Sequence, residues 1–507
     1  MKKIKRVLIS VFNKENIDII AKKLNEKSVE IYSTGGTYDF IKNLGIDVRS
    51  VESLTSYPSI LGGRVKTLHP KVFGGILARR DNEGDIKQLQ EYDIPTFDAV
   101  IVDLYPFEDT VKSGASHAEI IEKIDIGGIA LIRGAAKNYN DVVIVPSRKY
   151  YREFYDMICD KDCSSDLEDR LRFACYAFAV SSHYDSMIFK YFDTKIPQHL
   201  EIFQESFDFS RPLRYGENPH QKGYFFGDFE ANFEQLHGKE ISYNNIGDID
   251  AACNLIDDFR ETTFAIIKHN NACGLASRDN LKDAYLKALE GDPVSAFGGI
   301  FVCNRKVDKA TAEQMNKIFM EVCIAPDYEQ EALDILFSKK NRIILKRKAN
   351  IRSEYVFRNA LNGVLMQERD TKVEETKEII SITDRQFTVE EQKDLQFANI
   401  IVKHTKSNAI VIAKNKQLLA SGTGQTSRVD ALKQAIEKAK SFNFDLQGAV
   451  MASDAFFPFS DCVTIAHKEG IDSIIQPGGS IRDEDSIEYC KAHNMAMAMT
   501  GFRHFKH

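Results

Sequence analysis

A lysine beside a histidine is the pair in this chain best suited to moving a proton: Lys268-His269, in the run Lys268-His269-Asn270-Asn271-Ala272-Cys273-Gly274. An imidazole titrates near neutral pH, and an adjacent ammonium stabilises negative charge developing on a substrate oxygen. The apolar run Phe264-Ala265-Ile266-Ile267 ahead of the pair reads as a buried strand, and Leu281, Tyr285, Leu286 and Leu289 beyond it share a helix face. The pair therefore stands where a strand ends and the chain turns, the edge at which open α/β sheets take ligands. A surface lysine beside a packed histidine is the plain alternative, and this stretch alone does not decide between them.

A second group of residues suits a phosphate. Val29-Glu30-Ile31-Tyr32 reads as a strand running into Ser33-Thr34-Gly35-Gly36-Thr37, with a helix behind it that stops near Gly45. Amides at a helix N-terminus with hydroxyls beside them hold anions. The stretch Leu61-Gly62-Gly63-Arg64-Val65-Lys66-Thr67-Leu68-His69-Pro70 adds glycines, two cations and a hydroxyl. Lys66, Tyr105, Asp125 and Lys137 each fall at or near an element end, where side chains can converge on one pocket. Gly422-Thr423-Gly424 lacks the third glycine and the later acidic residue of a dinucleotide fingerprint, which argues against a Rossmann site.

The elements that must position these groups alternate. Val7-Leu8-Ile9-Ser10-Val11 reads as a strand, Asn13 as the N-cap of a helix with Ile17, Ile20, Ala21 and Leu24 on one face, and residues 98–104 as a strand. A helix ending at Ala136-Lys137-Asn138 and a strand over residues 142–145 follow, a pattern that predicts a parallel sheet covered on both faces. Residues 149–192 read as mostly helical, and periodicity fades from Thr194 to Pro212, where a domain boundary is expected. Beyond it the spacing predicts a strand at Ile300-Phe301-Val302, a helix around residues 312–322 and a solvated charged loop over residues 368–378. Strand, hairpin-like segment, helix and strand then recur with residues 409–413, the turn Gly422 to Arg428, a helix over residues 429–440 and a strand over residues 450–454. Two related α/β subdomains are expected. The last residues, Arg503-His504-Phe505-Lys506-His507, are too rich in chemistry for a frayed tail and read as a docked end.

With 507 residues, 43% hydrophobic and 28% charged, the composition is that of a multidomain globular protein. The formal net charge of −7 offers no general attraction to nucleic acid or to an anionic membrane. The basic run Lys339 to Lys348 flanks the apolar Ile343-Ile344-Leu345 and reads as the solvated ends of a strand. Nine scattered cysteines make no disulfide framework, and Cys159-x3-Cys163 has no matching pair for zinc. No signal h-region or bilayer-length apolar stretch stands out, so a cytoplasmic location without membrane or nucleic-acid partners is expected.

Several of these stretches together resemble a known family. Gly62 to Pro70, Leu213-Arg214-Tyr215-Gly216-Glu217-Asn218-Pro219-His220-Gln221, Lys268-His269, Ser453 to Phe459 and Gln476 to Arg482 look like the bifunctional purine biosynthesis proteins, in that family's order and from Ser10 to His507. The resemblance implies an α/β protein with a methylglyoxal-synthase-like parallel-sheet domain at residues 1–195, a linker at 196–212 and a formyltransferase region at 213–507. That region would consist of two cytidine-deaminase-like subdomains, at about 213–370 and 371–507, without the Pro-Cys-x-x-Cys zinc signature of deaminases.

The activities implied are formyl transfer from 10-formyltetrahydrofolate to 5-aminoimidazole-4-carboxamide ribonucleotide (AICAR), and closure of formyl-AICAR to inosine monophosphate (IMP). No metal or prosthetic group is implied, and the formyltransferase sites would form between the two subunits of a homodimer. By resemblance His269 is the base for the transfer, Lys268 stabilises the oxyanion and Asn408 orients the substrate. Arg214, Tyr215, His269, Gly298, Glu321, Asn408, Arg428 and Arg503 would line the AICAR site, and Val429, Phe456, Asp461, Ser480 and Ile481 the folate site. For ring closure the resemblance implies Lys66, Tyr105, Asp125 and Lys137 as catalytic groups. Its nucleotide contacts would be Ser10, Phe12, Asn13, Lys14, Thr34, Gly35, Gly36, Thr37, Arg64, Val65, Lys66, Thr67, Val102, Asp103, Asp125 and Ile126. Phe12, Asp103 and Ala272 depart from the residues usual there: a small polar side chain, an asparagine and a proline.

Overall fold

The computed structural model describes residues 1–348 and 352–507, and the chain divides into two compact units, Met1–Asp208 and Phe209–His507.

The first unit is built on a five-stranded sheet of β1 (Arg6–Val11), β2 (Glu30–Ser33), β3 (Arg49–Ser50), β4 (Ala99–Asp103) and β5 (Val143–Val145). The strand order is β3-β2-β1-β4-β5, every pair is parallel, and near-continuous burial of the central strands follows from helices on both faces. On one face Ile17, Ile20 and Leu24 of α1 (Ile17–Glu26) pack on Val7, Ile9 and Ile101. On the other, Leu131 and Ala135 of α3 (Gly127–Lys137) and Ala174 and Ala177 of α4 (Leu167–Asp193) meet Leu8, Val100 and Val102. A further helix, α2 (Gly35–Asn43), starts directly behind β2. One expected cap is corrected: α1 begins after Asn16, at φ 63°, while the Asn13 side chain accepts from Glu15 N at 2.8 Å in the preceding turn.

The second unit carries an eleven-stranded sheet in the order β6-β11-β10-β9-β7-β8-β13-β12-β14-β15-β16. Its strands are β6 (Phe233–His237), β7 (Thr263–Lys268), β8 (Asn271–Ser277), β9 (Ile300–Cys303), β10 (Val322–Ala325), β11 (Ile343–Arg347), β12 (Ile410–Lys414), β13 (Gln417–Gly422), β14 (Val450–Ser453), β15 (Ser473–Gln476) and β16 (Ala496–Met499). The register contains one motif twice. A hairpin (β7-β8, then β12-β13) has its first strand antiparallel to the next (β9, then β14), and two further strands add in parallel. The copies join antiparallel at Ala276 and Gln417. Helices α5 (Tyr243–Ile256) and α7 (Val389–Lys403) share one core on one face, while α6 (Leu281–Gly291) and α8 (Arg428–Ser441) cover separate cores on the other. The two α/β subdomains expected from the alternation are thus present.

Three expectations for this unit change. The strand does end at Lys268 and the chain turns there, but the helix beyond is preceded by an unexpected strand: His269 and Asn270, at φ 50° and 63°, form a two-residue hairpin turn into β8. The helix expected over residues 312–322 is Lys309–Met315, because the β-branched run from Val322 enters the sheet. The charged segment 368–378 is not wholly solvated, since Glu374 is buried with its carboxylate on Asn399 Nδ2 at 2.6 Å.

The antiparallel hairpins bring one edge of this sheet to a common side. The starts of β10, β9, β8 and β12 lie there, with the ends of β7, β13, β14, β15 and β16.

Candidate active sites

In the first unit a cleft of about 690 Å³ opens where β1, β2 and β4 end, roofed by residues 62–67 and by the start of α3. The Gly35 and Gly36 amides at the start of α2 have no partner among the described residues and lie at its N-terminus, whereas Thr37 N donates to Thr34 O at 3.1 Å. Lys66 lies across this turn. A Cβ on Gly35 would stand 3.6 Å from its Nζ, and one on Gly63, at φ 93°, would stand 2.9 Å from its Cε. Ser10 and Thr34 hydroxyls are 3.1 Å apart at the strand ends. Thr37 is spoken for, because its hydroxyl donates to Val11 O at 2.8 Å and accepts from Val11 N at 3.2 Å. Lys14 Nζ bonds Phe12 O at 2.8 Å, and Arg64 pairs with Glu122.

The opposite wall handles protons. Asp125 precedes α3 and accepts from Gly128 N at 2.6 Å, yet burial raises its carboxyl above the ordinary range. Burial likewise raises Asp103, against the Asn13 amide that it accepts at 2.9 Å. Burial and then the Asp125 charge raise the Tyr105 phenol. Burial lowers the Lys14 ammonium, a shift that Asp103 opposes and Lys66 reinforces. The cleft therefore combines Lys14, Lys66 and the amides at the start of α2 with two carboxyls and a phenol that burial raises.

Of the sequence-predicted residues for this site, Ser10, Phe12, Lys14, Thr34, Gly36, Thr37, Arg64, Lys66, Thr67, Asp103, Tyr105, Asp125 and Ile126 line the cleft. Gly35 forms the turn beneath Lys66, Asn13 offers its backbone to Asp103, and Val65 and Val102 are not in the lining. Val102 is packed into the sheet core. Lys137, in the last turn of α3, is not in the lining either.

Sequence reasoning missed Lys123 and Tyr184. Lys123 Nζ lies 5.4 Å from the Phe12 ring centroid and 5.9 Å from that of Tyr105, and those rings meet edge to face at 5.4 Å. Tyr184, on α4, donates to Lys123 O at 2.7 Å and accepts from Asp125 N at 2.8 Å, which fixes the loop carrying both. Nothing local marks Tyr184, which is separated from that loop by about 60 residues.

In the second unit nearly all of the predicted residues stand on the common edge just described. Lys268 ends β7 and donates to Phe297 O at 2.9 Å, and Gly298 at φ 70° would place a Cβ 3.4 Å from that ammonium. His269 is exposed at the turn. Asn271 ties the turn to the other subdomain: its Nδ2 donates to His269 O at 2.8 Å, and its Oδ1 accepts from Lys406 N at 2.9 Å. Two residues on, Asn408 donates to Gln425 O at 2.9 Å and accepts from Arg428 Nη2 at 3.1 Å. Arg428 also holds the fully buried Asp454 at 2.7 Å, and Ser407 bonds that carboxylate's other oxygen. The Arg428 Nε is buried without a hydrogen-bond partner among the described residues.

Glu321 precedes β10 and pairs with Lys239 at 2.5 Å. Phe456 and Asp461 follow β14, Ser480 and a fully exposed Ile481 follow β15, Arg503 follows β16, and Val429 packs on the core in the first turn of α8. Arg214 and Tyr215 stand apart from this set, after the strand Ser210–Leu213, with the guanidinium 4.7 Å from the Tyr215 ring centroid. The docked end is real: His504 N donates to Asp454 O at 2.9 Å, and Ser407 N to Lys506 O at 2.8 Å. Asp454, Ser407 and Asp248 are the functional candidates that the sequence reading passed over here.

A parallel-sheet unit with a phosphate-type cleft, followed by a doubled hairpin unit with an ammonium–imidazole pair on its edge, is the layout of a two-site enzyme. The comparisons name it: the AICARFT/IMPCHase bienzyme family matches residues 135–438 and the MGS-like domain matches residues 16–130. The bifunctional purine biosynthesis protein PurH of Bacteroides thetaiotaomicron is 62% identical over 506 residues, covering 100% of this chain and 99% of the relative. PurH of Aquifex aeolicus is 47% identical over 514 residues, covering 99% of this chain and 100% of the relative. PurH of Clostridioides difficile is 45% identical over 514 residues with the same coverage, 99% and 100%. The chain belongs to the AICARFT/IMPCHase bienzyme family, and is a formyltransferase and IMP cyclohydrolase of purine biosynthesis.

Proposed function

We propose that the second unit transfers the formyl group of 10-formyltetrahydrofolate to the 5-amine of AICAR, and that the first unit closes the product to IMP. The amine is conjugated with the imidazole ring and is a weak nucleophile, so it needs a base in place as the new C–N bond forms. His269 takes that proton, an effect worth roughly 10²–10⁴-fold. Lys268 stabilises the oxyanion on the formyl carbon, and Asn408, held by Arg428 and the Gln425 carbonyl, orients the acceptor. The tetrahydrofolate nitrogen leaves with a proton. One observation carries this reading: the Lys268-His269 turn is tied through Asn271 to Lys406, two residues from Asn408.

In ring closure the carboxamide nitrogen attacks the formyl carbon and water departs. Lys66 and the amides at the start of α2 suit the phosphate, while Tyr105 and Asp125, both raised by burial, suit the departing oxygen. Asp103, in the same lining, is a second carboxyl that can hold a proton there. Lys137 stays in the proposal as a proton donor or acceptor for ring closure.

A homodimer is part of the proposal. Glu321 and Ser480 stand seven strands apart on the edge, ~34 Å at ~4.8 Å per strand. A ribonucleotide beside a pterin is shorter than that. Residues at both ends therefore serve one centre only if a second copy brings its own edge across. Among the described residues no helix is long and apolar enough to cross a membrane, and the proposed location is the cytoplasm. The test is His269→Ala: folate turnover with AICAR is expected to fall at least about 100-fold. Cyclisation of supplied formyl-AICAR should stay within about twofold. An unchanged transfer rate would remove His269 from the mechanism.

A further inference from the structure

The internal repeat allows each device of one subdomain to be compared with its counterpart. In both hairpins the two-residue turn is held from below by an aspartate on the helix that packs there. The turn Asn415-Lys416 lies at the opposite edge of the sheet from the proposed site, with φ of 53° and 50°. Asp394 of α7 spends both carboxylate oxygens on it, accepting from Asn415 N at 2.7 Å and from Lys416 N at 2.7 Å. That is a purely structural clamp. The turn His269-Asn270 is held by Asp248 of α5, whose Oδ1 accepts from Asn270 N at 2.6 Å. The second oxygen of Asp248 has no hydrogen-bond partner among the described residues.

We propose that Asp248 is the positioning residue for the base in formyl transfer, clamping the His269-Asn270 turn with one carboxylate oxygen and leaving the other as the electrostatic partner of the imidazole. The inference rests on the assignment of His269 as the base. A carboxylate beside a catalytic imidazole fixes its orientation and stabilises the imidazolium formed when it accepts a proton. Burial raises the Asp248 carboxyl above its ordinary range, and the Asn270 amide, then the His269 charge and then the Lys268 charge oppose that rise without cancelling it. The counterpart turn, which has no histidine, shows what the same aspartate does when only structure is required of it.

The experiment compares Asp248→Asn, Asp248→Glu and Asp394→Asn in the full-length chain. Asp248→Asn keeps an oxygen for the Asn270 amide and removes the charge. It is expected to lower kcat for formyl transfer about 10- to 100-fold, part of what a general base supplies, with KM for AICAR within about twofold. The His269 imidazole, followed by NMR of isotope-labelled histidine, should titrate at lower pH than in the parent, as should the acid limb of the transfer rate. Asp248→Glu should recover at least part of both. Asp394→Asn should lower the melting temperature and leave the His269 titration and the transfer rate in place. If Asp248→Asn folds and neither the rate nor the His269 titration moves, Asp248 is only a turn clamp and the proposal is overturned. Should Asp248→Asn not fold, the same two readouts on Asp248→Glu decide. Failure of the parent reading looks different: His269→Ala would then transfer normally, whatever Asp248 does.

Discussion

At the residue scale, two carboxyls lining the cleft of the first unit are raised by burial. Asp103 stands where the family resemblance implies an asparagine, and it is buried enough that ionising it costs free energy. Its folded-state affinity for a proton exceeds that of the unfolded chain. Its contribution is therefore most favourable at low pH and is lost as pH rises through the folded pKa. Asp103→Asn keeps an acceptor for the Asn13 amide and removes the charge. The substitution is expected to raise the melting temperature of the first unit by on the order of 2 °C at pH 8, and by nothing at pH 4. Thermal scans at the two pH values check this, and a gain of equal size at both would show that burial of charge is not the cause. Lys66 is a different case, because Gly63 clears the space that its chain occupies.

At the element scale, the strands and long helices were legible because apolar periodicity marks them. β8 was not. Its Asn-Ala-Cys-Gly-Leu-Ala-Ser sequence has no β-branched residue, and tertiary contact makes it a strand: α6 approaches so closely that a Cβ on Gly274 would fall 2.1 Å from Ala288 O. Site residues at turns were legible as types and spacings, but the loop-fixing Tyr184, far away in sequence, was not. The docked C-terminus was legible in outline, and its anchor was hidden in a segment read as solvated. His504 is buried and bonds Asp370 at 2.7 Å with Glu374 at 3.8 Å. Burial alone would lower this imidazole, but the bonds and charges of Asp370 and Glu374 outweigh it and lift it to about 9. The sign follows: the stabilisation is complete below the ordinary histidine pKa and is lost as pH rises through about 9. The melting temperature of the parent should therefore exceed that of His504→Leu at pH 7, with the gap closing by pH 10. A pH-independent gap would mean that the imidazole packs there without its charge. The transfer rate should fall over the same window, since Lys506 backbone atoms hold Ser407 beside Asn408.

At the scale of the whole molecule, the two units solve the problem of a site differently. The first gathers its groups around one cleft from strand ends, a helix start and a glycine-rich loop, all within a single unit. In the second, the proposed groups lie along one edge of an eleven-stranded sheet, and the proposed dimer would bring two such edges together. The opposite edge of the same sheet illustrates the alternative. There the counterpart turn is closed by Arg278, whose Nη1 donates to Asn415 O at 2.8 Å and to Lys416 O at 3.1 Å, while Lys416 pairs with Glu261 at 2.7 Å. That edge satisfies its polar groups internally. The catalytic edge instead leaves His269 and Ile481 exposed and Arg428 Nε without a hydrogen-bond partner among the described residues, and a second copy with substrate is what would cover them. The two activities should then part company on dilution. As protein concentration falls through the dimer dissociation constant, formyl transfer per chain is expected to drop by more than about tenfold while cyclisation of formyl-AICAR per chain holds constant, because mass action removes only the site that needs two copies. Sedimentation velocity on the same dilution series locates the midpoint. Transfer that persists undiminished in a sample shown to be monomeric would mean that one edge suffices, and the assignment of its two ends to one centre would fall with it.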